Sequence, residues 1–417
     1  FNLNLNLKQL NLASIQPFTA EQLTKSSGHV SGEFLIKGTV DQPKVIGDLQ
    51  FHNGAFTVTK LNSAFELLND KITFTEEGLE FKNFSLSDSE KNTLRLRGKI
   101  DTPNYHDYAF NLRVDTDNFK VTNSTAKDND LYYGKLFVDT NLRIKGDLNK
   151  PIIDGNIKVN DNTELTIVLP QSDPSIADRE GIVEFIDQDA PPMDKRLIIA
   201  SDTISQTRFK GMNVSVNIEV DKDAELTMVI DKGNGDYLKL KGEAQLTGGI
   251  DESGKTTLTG RYELKEGTYE MTFNYLKRKF EINEGSYILW TGEPTTANID
   301  ITAVYKTQTA PIDLLDDQLG NISPTMRNTY KQRIPFETHL KMKGELLKPE
   351  ITFDIILPEG NYNVSSEIVS NTRTKLEQLR QQPDAQSLNW ANLLRDVAID
   401  ISPLIAEKNL DFDIHTE

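Results

Sequence analysis

Cysteine is absent from the 417 residues, which excludes disulfides and thiolate metal sites. Long apolar runs are missing too. Nothing approaches the ~18 consecutive apolar residues of a membrane span, and no signal peptide is present. Basic charge is in deficit, with 46 Lys and Arg against 63 Asp and Glu and a net charge of −17. Phosphate binding is driven mainly by Lys and Arg, so the charge balance disfavours nucleic acid and bare anionic lipid surface as partners. Only 37% of residues are hydrophobic and mean hydropathy is −0.47. The apolar residues are therefore few, and their placement carries the information.

That placement is a repeated motif: an alternating apolar strand containing Gly, a Pro five residues after the Gly, then a second alternating strand. The first copy is Phe34, Ile36, Gly38, Val40, Pro43, Val45, Gly47, Leu49 and Phe51. The second is Leu142, Ile144, Gly146, Leu148, Pro151, Ile153, Gly155, Ile157 and Val159. The third is Leu340, Met342, Gly344, Leu346, Pro349, Ile351, Phe353, Ile355 and Leu357. A weaker copy, Leu94, Leu96, Gly98, Ile100 and Pro103, keeps the first half. Period-two alternation gives each strand one apolar and one wet face. Length alone suggests two or three domains, but the repeats argue for one continuous array.

Further alternating strands follow at Val214–Val220, Leu226–Ile230, Leu238–Leu246, Tyr269–Phe273 and Ile299–Tyr305. Gly-rich connections at residues 232–236, 248–249, 266–267 and 284–285 read as hairpin turns. At roughly 15 residues per strand and turn, about 25 strands are expected, stacking over about 120 Å. Open sheets rarely exceed ~10 strands without curling, so this one must curl. Gly38, Gly146 and Gly344 are read as the creases, or as ordinary bulges, with each Pro marking a hairpin or sheet edge. Two stretches, 170–211 and 307–333, break the pattern as long excursions. Ile368, Leu376 and Leu379 suggest a terminal helix ending near Pro383. Trp390, Leu393, Leu394, Val397 and Ile401 suggest a second, amphipathic one, and Leu410, Phe412 and Ile414 a last strand. The opening Phe1-Asn2-Leu3-Asn4-Leu5-Asn6-Leu7 starts mid-pattern, as in a piece of a longer protein.

Catalytic constellations are not evident. His29, His52, His106, His339 and His415 are scattered singly, without a second ligand at metal spacing. Asp187 and Asp189 near Glu184 lack the ordered oxygen spacing of a calcium loop and read as solvated acids. Gly233-Asn234-Gly235 lies between two strands with no helix after it, so it reads as a turn. A carbohydrate-active solenoid would need paired carboxylates on neighbouring rungs, and a membrane barrel would need aromatic girdles; neither pattern is visible. The apolar face itself must be covered by a second sheet, folded into a closed core, or left to shelter an apolar ligand.

Several segments resemble one family. Leu10 to Phe18, the Gly-to-Pro hairpins, Asp173 to Asp187, Phe280 to Tyr305 with Ile282, Gly285, Trp290, Gly292 and Pro294, and Phe353 to Pro358 are similar to the C-terminal region of TamB. That family is the translocation and assembly module subunit of the AsmA-like group of bacterial envelope proteins, and the acidic Asp-Pro loop resembles its Bacteroidota versions. The resemblance implies an inner-membrane-anchored protein crossing the periplasm, with a U-shaped β-groove whose apolar interior carries phospholipid toward the outer membrane. It also implies an outer-membrane barrel partner of the TamA kind, engaged by the C-terminal segment. The chain departs from the family in lacking the anchor and in its shorter end from Gln386.

The expected fold is all-β: an elongated, curled, mainly antiparallel sheet, a β-taco with apolar interior, over residues 1–365, followed by short helices and a last strand over 366–417. The expected role is a non-enzymatic lipid conduit without cofactor or metal. The alternative is a factor that assembles outer-membrane barrels by strand augmentation. Expected lining residues are Phe34, Ile36, Val40, Val45, Leu49, Phe51, Leu142, Ile144, Leu148, Ile153, Ile157, Val159, Leu340, Met342, Leu346, Ile351, Phe353 and Ile355. Trp390, Leu393, Leu394, Val397 and Ile401 are expected to bind the partner. A charge at Ile144 or Leu340 is expected to block the path and spare the fold.

Overall fold

The computed structural model describes residues 2–39, 42–67, 69–168, 211–273, 276–315, 320, 323–346 and 348–381. Its strands belong to a 20-stranded sheet. The chain divides into two compact units, Phe1–Lys265 with Tyr287–Ala297, and Glu266–Ser286 with Asn298–Glu417. The sequence boundary at 365/366 lies within the second unit.

In the first unit the strands are β1 (Asn2–Asn11), β2 (Leu23–Gly38), β3 (Pro43–Val58), β4 (Ser63–Leu67), β5 (Lys71–Phe74), β6 (Gly78–Ser87), β7 (Thr93–Asp101), β8 (Ala109–Ser124), β9 (Tyr132–Asp147), β10 (Pro151–Val159), β11 (Glu164–Val168), β12 (Asn213–Val220), β13 (Glu225–Asp231) and β14 (Asp236–Ile250). β15 (Thr256–Phe273) starts here and ends in the second unit, and β17 (Tyr287–Gly292) also belongs to the first. Long strands are flanked by two short ones in line: β3 pairs with both β4 and β5, and β9 with both β10 and β11. A single strand of 16 residues is thus matched by two pieces with a break between them.

Asparagine occupies the irregular points of these ladders. Asn53, Asn69 and Asn118 take left-handed backbone conformations at φ 45, 48 and 47°, which Asn tolerates because its short amide can bond locally. The Asn53 amide N–H donates to Asn69 Oδ1 at 2.9 Å. The Asn118 amide N–H donates to Asp139 Oδ1 at 2.7 Å, and Asn160 Nδ2 donates to the same oxygen at 2.8 Å. Bulges in the β6–β7 and β8–β9 ladders fall at Phe81/Phe84 and Thr116/Phe119. Bulges sharpen local twist and bend the strand.

The motif glycines have other duties than the expected creases. Gly38, Gly146 and Gly344 are the direct cross-strand partners of Pro43, Pro151 and Pro349. Each Gly–Pro pair therefore closes a hairpin, and Gly146 takes φ 87° there. The second glycine of the motif lies mid-strand under the neighbouring backbone. A Cβ on Gly155 would stand 2.1 Å from the Asn141 carbonyl oxygen, and one on Gly47 2.0 Å from that of Glu33.

Three expected turns are also corrected. Gly248-Gly249 lies inside β14 and Glu266-Gly267 inside β15, because these strands are longer than turn residues suggest. Glu284-Gly285 joins β16 (Leu276–Ile282) to β17 (Tyr287–Gly292), both antiparallel to β15, so it interrupts a strand and does not reverse the chain. The turn at residues 232–236 closes β13 onto β14 as read, with Asp231 Oδ1 accepting from the Gly233 amide at 2.7 Å.

One seam is parallel. β10 pairs with β12, and β11 with β13, in parallel register. A parallel pair needs a long return connection. The 44 residues between β11 and β12 leave room for one; residues 169–210 lie outside the described ones.

The second unit contains the end of β15, β16, β18 (Asn298–Thr309), β19 (Ile334–Glu345) and β20 (Lys348–Ile356). The stretch expected as an excursion at 307–333 contains the end of β18 and two short helices, Ile312–Leu315 and Pro324–Thr329. A longer helix, α1 (Ser366–Arg380), is capped by Ser365 Oγ, which accepts from the Ile368 amide at 3.4 Å. Its Leu376 packs with Ile334, Phe336 and Leu357, and Arg380 Nε reaches Asp354 Oδ1 at 2.8 Å. The second terminal helix and last strand expected from the sequence lie outside the described residues.

Candidate functional site

Register places on one face of the first unit those predicted lining residues that lie in β2, β3, β9 and β10. Leu5 faces Phe34, Phe34 faces Gly47, Gly47 faces Phe74, Phe74 faces Leu79, and the rung continues through Ile100, Phe110 and Gly146 to Pro151. The next rungs run Leu112–Ile144–Ile153–Val214–Ile250 and Val114–Leu142–Gly155–Val216. Every second residue joins the row because side chains alternate across the pleat. Where a rung carries Gly, a large neighbour leans over it: the Phe34 ring would be 3.0 Å from a Cβ at Gly47.

Burial along this face is graded. Near the breaks the side chains are packed: Phe65, Leu67, Phe119 and Val138 are buried, and the Phe65 and Phe119 rings stack at 5.4 Å. Away from the breaks, Ile36, Val45, Leu49, Phe51, Leu142, Ile144, Ile153, Ile157 and Val159 are half-buried, while Phe34 is buried at 9% exposure. Leu148 is misplaced by the alternation rule. It lies past Gly146 in the hairpin turn and is 58% exposed. Val40 lies outside the described residues.

The opposite face is polar and laced with cross-strand ion pairs. Arg97 meets Asp115 at 2.6 Å, Lys71 meets Asp48 at 2.9 Å, and Lys265 meets Glu243 at 2.7 Å. Exposed pairs contribute little stability, about 0–1 kcal/mol each, but opposite charges on facing strands oppose register slips. Thr73 Oγ1 donates to Asp48 at 2.7 Å, and this bond, then Lys71, holds the Asp48 carboxyl below the usual carboxylate range. His29 and His52, far apart in sequence, stack across β2 and β3 with ring centroids 4.7 Å apart. Among the described residues no group of three or more His, Cys, Asp or Glu could hold a metal ion.

In the second unit the third motif copy lies on an apolar face built from rungs Ile301–Met342–Ile351, Ala303–Leu340–Phe353 and Tyr305–Thr338–Ile355. Leu340 and Met342 are 1% and 5% exposed, so this face is more completely covered. α1 supplies part of the cover over Ile334 and Phe336. Phe353 and Ile355 are half-buried, Ile351 is exposed, and Leu346 is half-buried in the turn after Gly344. Trp390, Leu393, Leu394, Val397 and Ile401 lie outside the described residues.

Two polar members of that face escaped the sequence reading. Arg278 shares the β16 parity of Phe280 and Ile282, is 8% exposed, and stands over the Tyr305 ring at 5.9 Å. Its Nη1 donates to the Lys277 carbonyl at 3.2 Å, while Nε and Nη2 have no partner. Thr338, buried opposite Tyr305, also has an unpartnered hydroxyl. The available signal was the run Lys277-Arg278-Lys279-Phe280, in which a cation occupies an apolar-parity position.

A family profile described as TamB C-terminal domain matches residues 82–402. Comparison with curated proteins gives no match.

Proposed function

The chain belongs to the TamB family, and from that premise we propose that it is a stretch of a non-enzymatic lipid conduit in the cell envelope. The carrying observation is the continuous row of half-buried apolar side chains on one face of the first unit, linked strand to strand by register. Side chains closed to water at the breaks and half-open beyond them form the floor and walls of a U-shaped β-groove. Acyl chains laid along it would gain about 25 cal/mol per Å² of apolar surface withdrawn from water. Successive rungs present similar residues, so an acyl chain slides with little change in free energy. In this reading the conduit carries phospholipid across the periplasm toward the outer membrane and works with an outer-membrane barrel partner of the TamA kind. No helix among the described residues is long and apolar enough to cross a membrane.

The test is lipid extraction and native mass spectrometry of the purified chain. Copurifying phospholipid is the expected result. A reproducibly dry preparation from lipid-rich cells overturns the reading.

Strand augmentation of barrel proteins is the second reading, and one observation favours it. Among the described residues β1 has β2 as its strand partner and β20 has β19, and this reading takes the outer edges of these two strands as the docking places. This reading predicts that barrel assembly depends on those edges and ignores charges placed on the apolar face.

A further inference from the structure

We propose that Arg278 is a phosphate-recognition point inside the second unit, where the guanidinium receives the headgroup phosphate of a lipid whose acyl chains lie on the surrounding apolar face. The inference rests on the conduit reading and adds to it a fixed polar station. A guanidinium carries five donors in a planar fork suited to bidentate contact with phosphate. At Arg278 only Nη1 is used, and by its own neighbour's carbonyl. The remaining Nε and Nη2 form the edge of the fork that grips an oxyanion, and both are buried without a partner. Leaving a desolvated charge half-satisfied is unfavourable, so a buried cation in this condition points to a ligand.

Its surroundings fit a phosphate joined to a hydrocarbon. On the same face Met271 is the cross-strand partner of Arg278, Phe280 is next in parity, and the Tyr305 ring lies beneath the guanidinium. Thr338, the cross-strand partner of Tyr305, adds a second buried unpartnered hydroxyl. The nearest acids by register, Glu270 and Glu281, sit on strand positions of the opposite parity, and Lys277 pairs with Glu270 and Lys306 with Glu281. No carboxylate among the described residues within salt-bridge distance neutralises Arg278. A neutral apolar cargo would not need this cation, whereas a phosphodiester does.

The experiment offers the purified chain dioleoylphosphatidylglycerol and dioleoylglycerol together in octyl glucoside micelles, then quantifies the retained lipids by mass spectrometry. The two share acyl chains and differ in the phosphate. Wild type is expected to retain the phospholipid at least about tenfold over the diacylglycerol, in line with a lost charge-assisted bond. Arg278→Gln and Arg278→Met are expected to bring the ratio close to one with total lipid unchanged, and Arg278→Met to raise the melting temperature of the lipid-free chain. A structural role would instead lower it. An unchanged ratio in both variants overturns the proposal and leaves the conduit standing. A chain that retains neither lipid removes the conduit itself. Inorganic phosphate alone, titrated by calorimetry, identifies the remaining source: binding lost in Arg278→Gln without lipid retention makes this a free-phosphate site and overturns the lipid assignment.

Discussion

Tyr262 is 3% exposed and its hydroxyl has no partner, and burial pushes the phenol well above its ordinary range. An unmade buried hydrogen bond costs about 1–3 kcal/mol, while the ring's packing against its neighbours is independent of the oxygen. Tyr262→Phe should therefore stabilise the chain by about 1 kcal/mol, read as a higher urea midpoint with unchanged m-value. Charged residues act with opposite sign at the two ends of the pH scale. The depressed carboxyl of Asp48 contributes stability that is complete above the ordinary carboxylate value of about 4 and is lost as pH falls through the lower folded value. The ammonium of Lys239, raised by its hydrogen bond to Glu225, contributes stability that is complete below about 10.4 and is lost only as pH rises through its folded value. The melting temperature should thus be flat between about pH 5.5 and 9 and fall below about pH 4. Asp48→Asn should make that acid fall shallower, and added salt should shrink the difference.

At the scale of the element, the ladder breaks at Asn53, Asn69 and Asn118 rest on residues that can take left-handed backbone. Asn118→Val forces a β-branched side chain to φ 47° and removes one of the two acceptors of the Asn160 amide; a loss of about 1–3 kcal/mol is expected. Asn118→Gly should recover most of it, which chemical denaturation can separate from the valine variant. Much of this level was legible in the sequence and part was not. The Gly-to-Pro spacing located three hairpins because the glycine's positive φ and the proline's missing donor are both local demands. Gly248-Gly249 was misread as a turn since glycine in a long strand and glycine in a reversal look alike without the partner strand. The asparagine breaks stayed hidden for the same reason: Asn53 and Asn118 look like loop residues until the ladder on either side is known. The parallel seam left one trace, the long excursion at 170–211, whose need is topological. Arg278 was passed over for a different cause, as periodicity ranks the apolar positions and skips a cation among them.

At the scale of the whole molecule, the two units answer charge differently. Ile144 is half-buried, so Ile144→Asp should leave folding within about 1 kcal/mol of wild type while abolishing lipid retention in the extraction assay. Leu340 at 1% exposure cannot serve the same purpose: Leu340→Arg buries an unpaired charge and should destabilise the second unit by several kcal/mol. The expectation that both positions would spare the fold holds only where water already reaches the side chain. A last consequence follows from the order of pairing in the antiparallel runs, where strands lie beside their neighbours in sequence. A tandemly duplicated hairpin could enter such a run without re-threading any older segment, adding about 10 Å for two strands. The gene can then lengthen or shorten its product by copying one Gly-to-Pro module, so reach is inherited as a copy number.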